Sequence, residues 1–296
     1  MKSTEIRASG KWLIAGVAAL ATLAMQPVQA AETPLPASGP QLTYADITDL
    51  ADAATMVVKA RIRAQRTLPP ELSPGLRPGW VRLLIQADTE ALITGRQAIG
   101  ESLRYLVDVP LDAKGKPAKL RKQSFIIFAF PVPGRPGDLQ LIDVDSQFPA
   151  DPALEARVRE VLTQLASPDV PPVVTGVGEA LAVEGNLSGE SETQVFLRTK
   201  NDAPVSLNVV RRPNMQPEWG VSWTELVDQS AQPPREGTLE WYRLACFLPA
   251  DLPYDAILSR DGQSRALAAA DYRYVLEQLG RCSRMRGGPP KFPNAR

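Results

Sequence analysis

The chain contains no histidine. Imidazole is the commonest general base and metal ligand near neutral pH, so histidine-dependent triads, Cys-His dyads and His-bearing zinc sites are excluded. Cysteine occurs only twice, at Cys246 and Cys282, too few for a four-cysteine zinc site and too widely spaced for a C-x-x-C pair. Phosphate-cradling loops are missing as well. Gly10-Lys11 and Gly115-Lys116 complete no P-loop, and Gly176-Val177-Gly178 lacks the third glycine of a dinucleotide fingerprint. No serine has a lysine three residues after it and no G-x-S-x-G elbow occurs, which removes the usual serine hydrolases. No cofactor is expected. Charge of one sign is not in excess either, with 33 Lys+Arg against 33 Asp+Glu. Nucleic-acid binding rests on a basic footprint that neutralises phosphates, so nucleic acid is not an expected partner.

Long apolar runs are confined to the start of the chain. Lys2, Arg7 and Lys11 precede or open the apolar stretch Trp12–Met25, and Val28-Gln29-Ala30 has the small residues of a cleavage site. Residues 1–31 therefore read as a signal peptide, because a membrane span needs about 20 consecutive apolar residues. Cleavage is expected after Ala30 or Ala31. No cysteine follows for lipid attachment, so the mature chain is expected to be soluble, without stable membrane insertion. Cleavage after Ala30 removes Lys2, Arg7, Lys11 and Glu5, which leaves 30 basic and 32 acidic residues. In an oxidising compartment, Cys246 and Cys282 most simply form one disulfide. The expected location is the periplasm or the outside of the cell.

At 44% apolar and 22% charged, the remainder has the composition of a globular protein. Its periodicity predicts an α+β fold that is mainly antiparallel β, in two parts. Residues 32–42 form a flexible lead-in. Within 43–167, Thr43 and Asp46 resemble a capping box at the head of a helix over 44–54. Strict alternation from Val58 to Gln65 predicts a half-buried strand, with Lys59, Arg61 and Arg63 on its wet side. Further strands fall near 80–94, 104–109, 124–130 and 139–143. The unbroken apolar run Ser124–Phe130 implies burial on both faces. Asp151 as N-cap and Pro152 at the first helical position open a helix carrying Leu154, Val158, Val161, Leu162 and Leu165 on one face. By analogy this half is a small five-stranded barrel of the OB or SH3-like kind.

The proline-rich Ser167–Pro172 is the candidate boundary. Within 168–285, strands near 173–183, 193–199, 204–211 and 218–224 suggest a β-meander. Two helices follow, one capped by Thr238 and the other over 264–279 with Gly280 at its C-terminal end. The expected disulfide would join them. Residues 286–296 read as a disordered basic tail, and Arg281, Arg284, Arg286, Lys291 and Arg296 follow Glu277 with no acid among them. Most such tails are solvated, and weak contact with an anionic surface is the alternative.

Two clusters have the residue types of a site. Asp143, Asp145 and Asp151 could bind a hard cation or supply an acid/base pair for glycoside hydrolysis. Their spacing lacks the glycine and distal glutamate of an EF-hand, and the competing reading is a solvated strand end plus a helix cap. Trp219 and Trp223 recur with period two, which makes them either a stacking platform for a sugar or peptide, or core residues packed on Val205, Leu207 and Val209. Core is favoured. The functional expectation is an exported, non-enzymatic accessory or binding protein whose partner is an envelope protein or a glycan. The alternatives are a carboxylate-dependent hydrolase of envelope polysaccharide and a glycan-binding module.

Overall fold

The computed structural model describes residues 42–225 and 231–287. The expected signal peptide, all but the last residue of the lead-in, and residues 288–296 of the expected tail lie outside the described residues.

Helix α1 (Tyr44–Ala53) begins at the expected capping box: Thr43 Oγ1 accepts the Asp46 N–H while the Asp46 carboxylate accepts the Thr43 N–H. Six antiparallel strands and a helix follow: β1 (Met56–Thr67), β2 (Trp80–Gly95), β3 (Ser102–Pro110), β4 (Ser124–Pro131), β5 (Leu139–Leu141), β6 (Gln147–Pro149) and α2 (Pro152–Leu165). The strand order is β3-β2-β1-β4-β5, with β6 also paired to β4. Period-two alternation places Met56, Val58, Ala60 and Ile62 of β1 in one core with Leu83, Ile85 and Ala87 of β2. Strand β4 is buried on both faces. Phe125, Ile127 and Ala129 enter that core, while Ile126 and Phe128 pack on the other side against Ile47 and Leu50 of α1 and Leu154, Val158 and Val161 of α2. Asp151 caps α2 by accepting the Leu154 N–H at 2.9 Å.

The first sheet is not a closed barrel. Its outer members β3 and β5 meet through one parallel bridge, Arg104 to Asp138, and the Arg104 N–H donates to Gly137 O at 2.8 Å. Closure needs a continuous ladder, and β5 is too short to supply one. The strand stops at Leu141 because Asp143–Ser146 makes a turn, with Ser146 N–H donating to Asp143 O and Ser146 Oγ accepting the Asp143 N–H. The chain then returns to β4 as β6, a three-residue strand too brief to show a period in the sequence.

The second sheet is the expected meander, β7 (Val174–Glu184), β8 (Ser191–Thr199), β9 (Val205–Arg211) and β10 (Glu218–Ser222), in the order β10-β9-β8-β7. Helices α3 (Leu239–Ala245) and α4 (Gly262–Leu279) cover its inner face. Val195, Leu207, Val209, Trp219 and Val221 there pack with Trp241, Tyr242, Tyr272 and Val275. Asp261 caps α4 by accepting the Ser264 N–H, which starts the helix two residues ahead of the expected 264. Cys246 and Cys282 form the expected disulfide, with Cα atoms 5.1 Å apart. Helix α1 links two cores, since Ala45 and Tyr44 touch the core of the meander while Ile47 and Leu50 pack with α2 on the other side of β4. Among the described residues no helix is long and apolar enough to cross a membrane.

Candidate ligand-binding cleft

The three aspartates do not share one role. Asp151 is occupied as the cap of α2. Asp143 and Asp145 sit in the turn after β5, not on a strand face, and both meet arginine. Arg286 Nη2 donates to Asp145 Oδ1 at 2.7 Å and approaches Asp143 Oδ2 at 3.4 Å, while Arg77 Nη2 donates to Asp145 Oδ2 at 2.9 Å. The guanidiniums are themselves seated on aromatic rings, Arg77 on Trp80 at 3.6 Å and Arg286 on Phe148 at 5.1 Å. Among the described residues no group of three or more Asp, Glu or Cys is arranged to hold a metal ion.

Burial of the Asp145 carboxyl works against its ionisation, but the hydrogen bonds and charges of Arg77 and Arg286 outweigh it and hold the carboxyl below its ordinary value of 3.8. A carboxyl depressed in the folded state stabilises the fold above its unfolded pKa, and that stability is lost as pH falls through the folded value. Asp145→Asn is therefore expected to lower the urea midpoint near neutral pH, and the difference from the parent should close below pH 3.8. A difference that persists unchanged through acid would contradict the ion-pair assignment.

Arg284 and Arg286, expected in a solvated tail, are instead docked on the body of the protein. Arg284 Nε donates to Asp49 of α1 at 2.6 Å, and the Met285 and Arg286 N–H groups donate to the Asp46 carboxylate. The acceptors lie more than 200 residues away in sequence, and the disulfide at Cys282 starts the segment beside them.

Trp219 lies on the inner face of β10, opposite Val209 in register, and is buried. Trp223 follows the end of β10 and is half-buried. They form no open stacking platform, yet each borders a hollow beside this edge strand. The larger, about 450 Å³, is lined by Glu192, Asn208, Val210, Trp219, Tyr274 and Gln278 among others. The smaller, about 400 Å³, includes Val221 and Trp223, and Gln232 and Pro233 line both.

Local structure explains the cleft. Gly220 pairs with Asn208 across β10 and β9, and a Cβ at Gly220 would lie 2.1 Å from the Ala231 carbonyl oxygen. Only glycine lets the chain at Ala231 pass so close to the outer face of the sheet. That face is polar, yet Ser206 and Asn208 are each at least nine-tenths buried, and Ser206 Oγ and Asn208 Oδ1 have no hydrogen-bond partner among the described residues. Glu192, on the same outer face, accepts from Gln194 Nε2 at 2.9 Å and forms no ion pair among the described residues. By contrast, Arg212 is held by Glu218 at 2.5 Å, and the Tyr274 hydroxyl donates to Pro217 O at 2.7 Å. The arrangement sets polar side chains, Glu192 and Gln278 among them, around a hollow edged by Trp219 and Tyr274.

Asn208 and Glu192 escaped the sequence reading. In Val205-Ser-Leu-Asn-Val209 the polar residues fall at the solvent positions of a period-two pattern. Nothing local reveals that another segment covers them. No protein-family model matches the chain, and no curated protein matches it.

Proposed function

We propose that the protein is an exported, non-enzymatic binding protein that carries a small polar ligand in the cleft beside β10. The observation that carries this reading is a hollow of about 450 Å³ whose lining brings Glu192, Asn208 and Gln278 together with Trp219 and Tyr274. Largely preformed concave sites with a few convergent polar groups are where small molecules bind. The signal-like residues 1–31 support export, and the disulfide is the kind of cross-link that persists in an oxidising compartment.

Hydrolysis of polysaccharide has less support. A general acid for that chemistry needs a raised pKa, and Asp145 is pushed the other way by two arginines. Native mass spectrometry of the protein purified gently from its own cells tests the proposal. The expected result is a chain beginning after Ala30 or Ala31 with a non-covalent small-molecule adduct. An unprocessed chain would overturn export, and a processed chain free of adduct in every preparation would count against the carrier role.

A further inference from the structure

We infer that the first sheet docks on an anionic lipid surface through the end at which β1 finishes and the chain connects β3 to β4. Arg66, Lys114, Lys116, Lys119, Arg121 and Lys122 all lie there and all are exposed. None of these side chains makes a hydrogen bond or ion pair among the described residues. Elsewhere on the same sheet the arginines are spent, Arg61 on Glu90, Arg63 on Asp88, Arg82 on Asp108 and Arg104 on Asp138. The connection from β3 to β4 holds a single acid, Asp112, and its Oδ1 is engaged locally by the Lys114 and Lys116 N–H groups at 2.8 Å.

The backbone holds these like charges together. Leu111 bridges to Pro117 around the turn at Gly115, and Leu120 is buried in the core of the first sheet. Gln65 of β1 clasps the segment, its Nε2 donating to Ala118 O at 2.9 Å and its Oε1 accepting the Leu120 N–H at 2.6 Å, while the Lys122 N–H donates to Ile62 O at 2.7 Å. The connection from β1 to β2 lies alongside, since Leu111 N–H donates to Gly79 O at 2.9 Å. It presents Leu72, which is 62% exposed, from a single turn whose next residue, Ser73, is buried and donates through Oγ to Pro69 O. Cations that attract phosphate headgroups beside an apolar side chain that enters the headgroup boundary are the two parts of peripheral membrane binding. A polymeric anion fits less well. Single strands are held by a groove with stacking faces, and the ring at the base of these connections, Trp80, is covered by the Arg77 guanidinium at 3.6 Å.

The test is co-sedimentation of the mature protein with vesicles of phosphatidylcholine alone and of phosphatidylcholine mixed equally with phosphatidylglycerol. Binding to the mixed vesicles only is expected, and it should fall when salt is raised from about 0.1 M to about 1 M, which shortens the screening length from about 10 Å to about 3 Å. Lys116→Gln with Lys119→Gln should weaken it about 25-fold, roughly fivefold for each cation removed near the surface. Leu72→Ser should weaken it severalfold, and all three positions are exposed, so these variants are expected to fold. Lys200→Gln, which removes the same charge from an exposed position after β8, should leave binding unchanged. Absence of binding to the mixed vesicles would overturn the assignment, as would a Lys200→Gln variant as impaired as one lacking a patch lysine. Binding to soluble polyphosphate but not to vesicles, or vesicle binding indifferent to Leu72→Ser, would replace the lipid surface by a polymeric anion.

Discussion

Asp49→Ala should lower the unfolding free energy by about 3 kcal/mol or more, the scale on which removing one partner strands a buried charge. Asp49 lies on α1 and is almost fully buried. It accepts a short hydrogen bond from the Tyr242 hydroxyl and a 2.6 Å bond from Arg284 Nε. Burial disfavours ionisation of the Tyr242 hydroxyl and Asp49 adds to this, so the phenol stays protonated and donates. Burial also disfavours the Arg284 cation, but the bond and charge of Asp49 more than restore it. Truncating Asp49 leaves a buried hydroxyl and a guanidinium only 16% exposed without their acceptor. The loss is larger than a surface ion pair would give because neither group can turn to water without breaking the contact between α1 and α3.

Urea denaturation of Asp49→Ala, Arg284→Ala and the double variant measures the effect. The double variant is expected to be more stable than the sum of the two single losses implies, since removing both charges strands neither. Strict additivity would show that the two residues share no energy. Tyr242→Phe, which removes one hydrogen bond to a charged acceptor while keeping the ring packed, should cost about 1.5–3 kcal/mol.

Loss of the disulfide is expected to be comparable. Cys246 and Cys282 are 36 residues apart, and in the chain-entropy model a loop of that size contributes about 4 kcal/mol by restricting the unfolded chain. Replacing both cysteines by serine, or adding a reductant, should lower the urea midpoint accordingly. The consequence should also be local. Cys282 directly precedes the segment in which Arg284 meets Asp49 and the Met285 and Arg286 N–H groups meet Asp46. Without the cross-link, those two amides should exchange with solvent faster than the interior amides of β4. A midpoint and an exchange pattern indifferent to reductant would mean that the contacts with α1 hold the segment unaided.

Particular elements show why some of this was legible in advance. The capping box at Thr43 and Asp46, the Asp151-Pro152 start of α2 and the Gly280 stop of α4 are local signals, and each appears where the chain places it. The burial of β4 on both faces follows from its unbroken apolar run. Trp219 was readable as core from its period with Val221. The aspartates were conspicuous but misleading. Asp145 meets Arg77 and Arg286, which stand 68 and 141 positions away, and no spacing rule reaches that far. Open ends of the first sheet depended on a turn at Asp143–Ser146 held by a serine hydroxyl, which a five-residue apolar-polar pattern does not disclose.

The amino-acid sequence by itself determined the class of the protein, because periodicity, capping and turn residues act over a few positions and survive in one dimension. It also determined what chemistry is absent, since a residue type that is not in the chain cannot appear in the fold. Tertiary structure alone decided which charges are spent and which are free. Arginines from the second half are consumed by acids of the first, Glu192 meets no cation among the described residues, and the passage of Ala231 over Gly220 turns a solvent-facing asparagine into a buried acceptor. These outcomes depend on distances between groups far apart in sequence, and electrostatics and desolvation respond to those distances rather than to residue order.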